Sequence, residues 1–301
     1  MDNSGIKISY AEFSRALHTP FQGAKHRFSQ RLGFILRLET ATDNAYGEAS
    51  PLPGTSRESL EEIRSFLSQT DSFSLLSLWE DSQSNLAPSL RMAIDSAMMT
   101  MKGTPPKNTV KSNAVIGIGD DAREKVMAFW ASGFRTFKFK VMPSTTVQCL
   151  QCLELLRDLS KSSSENHSIR LDSNHGFQQS EIVDFASGLS AYPVEYWEDP
   201  IPLEDRWAWK YFRKESKFPI AIDESCDSLD SLDSLLEENL ADYFILKPTV
   251  LGGFAITEKA IRKILSKGKK YRITSTFEAE VGMQAIIRFL AANGSASLVH
   301  G

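Results

Sequence analysis

The chain has 301 residues, of which 42% are hydrophobic and 24% are charged, proportions that are ordinary for a globular protein. Its formal net charge is −4 and no long run of one sign occurs, which argues against a general nucleic-acid or membrane surface. The start of the chain has no basic segment followed by an apolar stretch, and no run approaches the roughly 20 apolar residues of a membrane span. We therefore expect a cytoplasmic protein whose partners include neither nucleic acid nor membrane.

The first hundred residues predict an α+β domain. Residues 6–17 and 31–50 contain strand-like segments, and turn residues such as ATDNAYG interrupt the second of them. Thr55 and Glu58 have the spacing of a capping box, which predicts a helix that begins near Ser56.

A second amphipathic helix is predicted over residues 87–103, where Gly103 and the following proline pair would end it. The proline-rich stretch KGTPPKNTVKS comes next and separates two unlike sequence patterns. It predicts a boundary between an α+β domain at residues 1–105 and a second domain at residues 106–301.

In the second domain, short apolar strands alternate with helical segments at intervals of roughly 20–35 residues. The strand-like segments lie at residues 113–119, 134–142, 168–174, 194–200, 219–225, 243–249, 271–278 and 295–301. Eight such units that close on themselves make a TIM-type barrel of the α/β class. An open doubly wound sheet is the competing fold. The lack of a G-x-G-x-x-G after the first strand weakens a dinucleotide-binding version of it, so we expect no organic cofactor.

Cys149 and Cys152 form a C-x-x-C pair within a segment of helical periodicity. A zinc site would need a second ligand pair, which the sequence lacks, and a redox role would need a loop or helix start. We therefore predict that both thiols are structural and lie at a buried helix face. Cys226 has no partner in sequence, and no disulfide framework is expected.

The segment FRTFKFKVM at residues 134–142 alternates apolar and basic side chains. Side chains alternate between the two faces of a strand, so Phe137, Phe139 and Val141 share one face while Lys138 and Lys140 share the other. A barrel strand meets helices on one face and the lumen on the other. The lysine pair is therefore predicted to lie at the mouth of the lumen.

Charged residues also mark the carboxyl ends of the following strands, at intervals of 24 to 32 residues: Asp172, Glu198, Asp223 and Lys247. A single acidic residue at such a place is usually a helix cap or an ion-pair partner. Three carboxylates from adjacent strands would repel one another, however, unless a cation lies between them. Ligands that are all oxygen favour Mg²⁺ over zinc, with Mn²⁺ as a substitute. The pattern predicts a metal site at this rim.

The combination of metal and lysines predicts an acid–base reaction. A metal that holds a substrate carboxylate would stabilise the enediolate formed when the α-proton leaves. Nearby cations lower the pKa of a lysine toward neutrality, which makes it a usable base. Lysines on both faces of the substrate would then permit elimination or reprotonation. A small-molecule carboxylate is the expected partner.

Taken together, these motifs resemble the enolase superfamily and, within it, the muconate-lactonizing subgroup. The similarity rests on KFK at residues 138–140, followed by LDSN, WEDP, IDES and LKP. Within that subgroup the chain looks closest to the o-succinylbenzoate synthases, through stretches such as YGEASPLPGTSRESLEE and ITSTFEAEVGM. The resemblance runs from about residue 30 to the end.

The resemblance implies an α+β capping domain over a modified TIM barrel of the (β/α)7β type. It also implies a lyase (hydro-lyase) activity: the Mg²⁺-dependent dehydration of 2-succinyl-6-hydroxy-2,4-cyclohexadiene-1-carboxylate to o-succinylbenzoate in menaquinone or phylloquinone synthesis. Three acidic residues match the family's metal ligands: Asp172, Glu198 and Asp223. Lys140 matches the base that takes the α-proton and then helps hydroxide leave from the same face. Lys247 matches the opposite lysine, whose charge stabilises the enediolate.

The other matched positions surround this centre. Lys138 would contact the substrate carboxylate and tune its neighbouring lysine. Asn174 and Arg170 would lie beside the metal ligands. Thr274 and Ser275 match a hydroxyl-rich strand end that binds the succinyl carboxylate, with Thr where the family pattern has Ser. The SPLPG segment matches a loop of the cap that closes over the site and excludes water.

Two other functions compete with the synthase. An N-acylamino acid racemase or dipeptide epimerase would use the same two lysines, although the acidic D-x-D that dipeptide epimerases share after the eighth strand is not visible before Gly301. A non-catalytic metal-binding barrel is the third possibility, and the presence of every charged position disfavours it. The synthase is the expected function, with monomer and homo-oligomer both left open.

Overall fold

The computed structural model describes residues 5–22, 27–81, 83–103, 109–293 and 297–301. The strands are β1 (Lys7–Gln22), β2 (Arg27–Glu39), β3 (Asn44–Ala49), β4 (Lys111–Ser112), β5 (Ala114–Gly117), β6 (Thr136–Lys140), β7 (Ser168–Asp172), β8 (Val194–Glu198), β9 (Ile220–Ile222), β10 (Tyr243–Leu246), β11 (Lys270–Ile273) and β12 (Val299–His300). The α-helices are α1 (Leu60–Gln69), α2 (Ser72–Glu80), α3 (Pro88–Met101), α4 (Ala122–Ala131), α5 (Thr146–Ser163), α6 (Gln179–Gly188), α7 (Arg206–Glu215), α8 (Leu229–Glu237), α9 (Pro248–Leu251), α10 (Phe254–Ser266) and α11 (Glu280–Ala292). No helix in these ranges is both long enough and apolar enough to span a membrane.

The N-terminal part is a cap in which the antiparallel sheet β1-β2-β3 packs against α3. The capping box of α1 is formed by Ser59 and Glu62, so the predicted box of Thr55 and Glu58 is wrong. Thr55 instead lies in a turn, and Glu58 accepts a hydrogen bond from the backbone N–H of Ser89, in the first turn of α3. The predicted start of this helix was therefore four residues too early.

The C-terminal part is a parallel sheet in the order β11-β10-β9-β8-β7-β6-β5. Neighbours in the sheet are neighbours in sequence, which is the order of a barrel and not of a doubly wound sheet. The last strand, β12, pairs with β4, and the Gly301 N–H donates to the carbonyl of Ile273 at the other edge. The eighth strand therefore bridges the two edges of the sheet. The predicted modified TIM barrel with a strand-rich N-terminal cap is confirmed.

Side chains of the barrel strands separate into an outer and an inner set. Phe137, Phe139 and Val141 are fully buried in the main hydrophobic core with the surrounding helices, as the alternation predicts. Cys149 and Cys152 are buried on α5 and unpaired, which confirms their structural placement. A separate small cluster fills the lumen: Tyr196, Ala221, Tyr243 and Ile245. The predicted domain boundary near residue 105 lies outside the described residues.

An ionic network lies in the lumen toward the amino-terminal ends of the strands. The pairing of β7 with β8 shifts register at Glu195, an irregularity that places this carboxylate between Arg170 and Arg272. Arg170 is 1% exposed and also donates to Asn113 and to the carbonyl of Val299. The network therefore ties the middle of the sheet to both of its edges.

We expect Glu195→Gln to lower the free energy of unfolding by about 3 kcal/mol at pH 7, because it leaves two largely buried guanidinium groups without their anion. Burial acts to raise the pKa of Glu195, but Arg170 and Arg272 outweigh it and hold the pKa below its ordinary value of 4.5. A lowered folded-state pKa gives stability that is lost as the pH falls. The difference between wild type and variant should therefore shrink below about pH 4.5.

Urea unfolding followed by tryptophan fluorescence between pH 7 and pH 3 measures this difference. Glu165→Gln is the matched control, because Glu165 is half exposed and pairs with Arg135 at the surface. The control should change the free energy by less than about 1 kcal/mol. Two outcomes would contradict a stabilising role of the network. One is an equal loss of unfolding free energy in the two variants, and the other is a loss in Glu195→Gln that is as large at pH 3 as at pH 7.

Candidate active site

Three acidic side chains converge at the carboxyl ends of adjacent strands. Asp172 ends β7 and Glu198 ends β8, and the two lie opposite each other in the strand pairing. Asp223 follows β9, the next strand of the sheet. All three residues are buried, with exposed fractions of 1%, 0% and 8%. The structure thus brings together the carboxylates that the sequence places one βα unit apart.

Three lysines surround these carboxylates. Lys138 Nζ lies 2.8 Å from Asp172 Oδ2 and 2.6 Å from Glu198 Oε1. Lys140 Nζ lies 2.5 Å from the same Asp172 oxygen. Lys247 follows β10, and its Nζ lies 2.7 Å from Asp223 Oδ2. The lysine face of β6 therefore meets the carboxylate cluster, as the alternation predicts.

The pKa values of these groups follow from burial and charge. Burial raises the pKa of Glu198 well above its ordinary value, with the charge of Asp172 acting in the same direction. Burial opposes the ionised form of Asp172 too, but Lys138 and Lys140 outweigh it and lower its pKa. Burial would lower the pKa of Lys138 and of Lys247, yet their carboxylate partners raise both. Both amines are therefore held as ammonium groups by the carboxylates.

The donor set fits a divalent cation. Glu198 Oε2 and Asp223 Oδ1 are buried and accept no hydrogen bond from the described residues. Buried carboxylate oxygens without a partner are costly, and a hard cation would satisfy both. In the described ranges no three acidic, His or Cys side chains are grouped so as to hold a metal ion directly, and each of the three carboxylates is paired with a lysine.

Two further residues support the cluster. Asn174, in the left-handed region at φ 43°, accepts from Lys140 Nζ at 3.1 Å and donates its backbone N–H to Asp172. Asp199 is fully buried and accepts the backbone N–H groups of Asp223 and Glu224. Burial raises the pKa of Asp199 to about 7. Asp199 was not among the predicted site residues, although it belongs to the WEDP motif that supplied Glu198.

The remaining predicted residues lie in two places. Thr274 and Ser275 follow β11 directly, so they lie at the same end of the sheet as the carboxylates and are partly buried. Arg170 is in the lumen network described above, where its guanidinium binds Glu195, Asn113 and Val299. Its bonds therefore point away from the predicted place beside the metal ligands.

Comparison with known families identifies the superfamily of the chain. The family model described as "Enolase C-terminal domain-like" matches residues 121–300, which is more than half of the chain and includes all six charged residues of the cluster. The chain belongs to the enolase superfamily. A second model, "MenC, N-terminal domain", matches residues 16–101 of the cap.

Relatives within the superfamily carry different activities. An o-succinylbenzoate synthase from Desulfotalea psychrophila is 23% identical, over 96% of this chain and 90% of the relative. An L-Ala-D/L-Glu epimerase from Thermotoga maritima is also 23% identical, over 97% of this chain and 89% of the relative. These identities support the superfamily and an enzymatic function without separating the two reactions.

Solved structures of the superfamily share the fold. The o-succinylbenzoate synthase of Thermosynechococcus elongatus, complexed with Mg in its active site, has a TM-score of 0.81 at 21% identity and covers 98% of this chain and 92% of that one. The L-Ala-D/L-Glu epimerase of Bacillus subtilis has a TM-score of 0.82 at 20% identity, covering 98% and 88%. The fold of the enolase superfamily is thus shown across nearly the whole chain.

Proposed function

We propose that this enolase-superfamily protein is an o-succinylbenzoate synthase that dehydrates 2-succinyl-6-hydroxy-2,4-cyclohexadiene-1-carboxylate in menaquinone biosynthesis. The observation that carries the proposal is the pair Lys140 and Lys247, which flank three buried carboxylates from the strands between them. The synthase relative and the match of the cap to the MenC N-terminal model support this reaction over others of the superfamily.

The carboxylates of Asp172, Glu198 and Asp223 would hold Mg²⁺, which supplies a positive charge for the substrate carboxylate and for the negative charge that develops when the α-proton leaves. Lys247 is held as an ammonium by Asp223. From its side of the site it stabilises the same developing charge.

Lys140 is the proton carrier. Its side chain is 37% exposed, against 11% for Lys138 and 14% for Lys247, so it is the lysine that reaches the space open to a substrate. Lys138 and Lys140 share one oxygen of Asp172, so Lys138 remains as a cation beside this carboxylate at every stage of the proposed reaction.

In the proposed dehydration Lys140 alone removes and returns the proton, and the atoms and electrons balance. Lys140 Nζ takes the α-proton from C1, and the electron pair of the C–H bond moves toward the substrate carboxylate, which becomes an enediolate. The pair then returns to form the C1–C6 double bond as the C6–O bond breaks, and the departing hydroxide takes the proton back from Lys140 and leaves as water. The products are o-succinylbenzoate, with an aromatic ring, and one water molecule, so the enzyme returns to its starting state.

An N-acylamino acid racemase or dipeptide epimerase is the second candidate. The epimerase relative is as similar in sequence as the synthase relative, and the epimerase structure is as similar in fold. In that reaction one lysine would remove the α-proton and the other would return a proton to the opposite face.

The purified protein with Mg²⁺ is expected to convert the cyclohexadiene substrate to o-succinylbenzoate, detected by chromatography. In parallel, α-proton exchange of N-succinyl amino acids and of L-Ala-L-Glu is followed by NMR in D₂O. We expect a kcat/KM for dehydration at least about 100-fold above that for any exchange reaction. Lys140→Ala, prepared identically, controls for contaminating host enzymes. Rapid exchange without formation of o-succinylbenzoate would instead establish the racemase or epimerase.

A further inference from the structure

We infer that Arg31 and Glu48 of the cap are positioning residues that fix the substrate-binding turn after β11. This inference rests on the proposed function for the identity of the substrate, and on contacts between cap and barrel for its geometry. The turn comprises residues 274–279. It begins with the hydroxyl pair Thr274 and Ser275 and leads into α11.

Arg31 joins this turn to the SPLPG loop at residues 50–54. The residue is 2% exposed, and its guanidinium donates to the carbonyls of Ser50 at 2.6 Å, Pro51 at 3.2 Å and Phe277 at 2.9 Å. Three donors of one rigid group thus hold two separate chain segments. A guanidinium buried against carbonyl oxygens alone is costly. The nearby charges of Glu278 and Glu48 compensate part of that cost.

The turn that Arg31 contacts is conformationally strained. Phe277 has φ of 60°, a region that residues with a Cβ rarely adopt. Its ring packs edge-on against Phe28 of the cap, with the ring centroids 5.8 Å apart. The carbonyl of this residue accepts the Arg31 hydrogen bond. Contacts with the cap therefore stabilise the left-handed backbone conformation of Phe277, which is unfavourable for an isolated turn.

Glu48 fixes the other end of the same turn. α11 has Ala279 at its N-cap, which has no polar side chain, and Glu48 supplies the missing acceptor. Its carboxylate accepts the backbone N–H groups of Ala279 at 2.7 Å and Gly282 at 2.8 Å. A Cβ on Gly282 would lie 3.1 Å from Glu48 Oε2 and 2.7 Å from the Cβ of Glu278. Glycine at this position therefore leaves room for the cap carboxylate.

Glu278 extends these contacts toward the lysine side of the site. It is buried and accepts from the hydroxyls of Thr276 and Thr249. Thr249 lies two residues after Lys247, in α9. The turn is thus braced by Arg31 and Glu48 from the cap and by Thr249 from the barrel. Loss of a cap contact should release the turn without disturbing the carboxylate cluster, to which neither Arg31 nor Glu48 is bonded through its described hydrogen bonds.

The test uses Arg31→Lys and Arg31→Met in the full chain. Lysine keeps the buried charge but cannot span both segments, and methionine removes the donors. Both should raise KM for the cyclohexadiene substrate about 10-fold while kcat changes less than about threefold and the Mg²⁺ affinity is unchanged. Arg37→Met is the matched control on the same strand, because the side chain of Arg37 is 40% exposed and pairs with Glu39. A role in folding alone would lower kcat together with Mg²⁺ binding.

Native-state hydrogen exchange gives a second readout that needs no turnover. Exchange of residues 50–58 and 274–283 should accelerate at least about 10-fold in both Arg31 variants, while β6 to β9 stay protected. If the wild type turns over no substrate but both segments lose protection, the positioning role stands and the proposed function fails. Unchanged exchange in both segments in Arg31→Lys would overturn the inference, as would a KM equal to that of wild type.

Discussion

Lys140→Ala is expected to lower kcat by at least about 10³-fold, because one amine carries the proton in both halves of the proposed dehydration. The side chain is more than a third exposed, and its described hydrogen bonds go to Asp172 and Asn174. Lys138 remains bound to Asp172 in the variant, so the carboxylate keeps a cation. The fold should therefore tolerate the change, and the loss should lie in the chemical step. Steady-state kinetics with the cyclohexadiene substrate measures it.

Lys140→Arg separates proton transfer from charge. Arginine keeps a cation next to Asp172 but does not give up its proton near neutral pH. If Lys140 acts as base, Lys140→Arg should be as inactive as Lys140→Ala. Lys161→Ala, at an exposed position on α5, is the matched control and should retain full activity. Substantial turnover by Lys140→Arg would show that position 140 contributes only charge.

Structural features that leave a local pattern in the sequence, such as strand alternation or a regular spacing, could be predicted. The alternation in FRTFKFKVM placed Phe137 and Phe139 in the outer core and Lys138 at the carboxylate cluster, because a strand has only two faces. The spacing of Asp172 and Glu198 by about one βα unit placed them opposite each other in neighbouring strands. Barrel, cap and acidic rim could thus be predicted together.

Other features depend on choices that a local pattern does not determine. Two candidate capping boxes follow each other at residues 55–58 and 59–62; the fold uses the second, and Glu58 of the first binds the start of α3 instead. Arg170, predicted to lie beside the metal ligands, binds the carboxylate of Glu195, which the irregularity in the pairing of β7 with β8 brings into the lumen, and no local pattern indicates that irregularity. α2 was not predicted at all.

Contacts between distant segments were the least predictable. Arg31 and Phe277 are separated by 246 residues, and Glu48 and Gly282 by 234. Neither pair has a pattern of spacing that a single sequence reveals. Their positions follow only when the cap is placed on the barrel, so the residues that contact the proposed substrate-binding turn emerge from the structure alone.

Glu198→Gln is expected to have opposite effects on turnover and on the stability of the metal-free protein. Glutamine removes a negative charge from the proposed Mg²⁺ ligands, so activity should fall at least about 10³-fold and Mg²⁺ should no longer raise the unfolding temperature. For the wild type, Mg²⁺ at 100 times its Kd should add about 2.7 kcal/mol to the free energy of unfolding. Thermal unfolding with and without Mg²⁺ measures the stabilisation by Mg²⁺ in the variant and in the wild type.

Without Mg²⁺ the variant should be at least as stable as the wild type, because Lys138, which pairs with Glu198, keeps Asp172 as an anion at 2.8 Å. Burial, followed by the charge of Asp172, raises the pKa of Glu198 above its ordinary value of 4.5. A raised folded-state pKa means that ionisation of this carboxylate opposes folding, so the wild type loses stability relative to Glu198→Gln as the pH rises above about 4.5.

Glu237→Gln, at the exposed end of α8, is the control and should change neither the turnover nor the response of the unfolding temperature to Mg²⁺. A variant that is less stable than wild type in EDTA at pH 7, yet still stabilised by Mg²⁺, would remove Glu198 from the metal site. If Glu198→Gln is instead more stable than wild type without Mg²⁺ and is not stabilised by added Mg²⁺, then Glu198 binds the cation. Its carboxylate would then lower the stability of the metal-free fold.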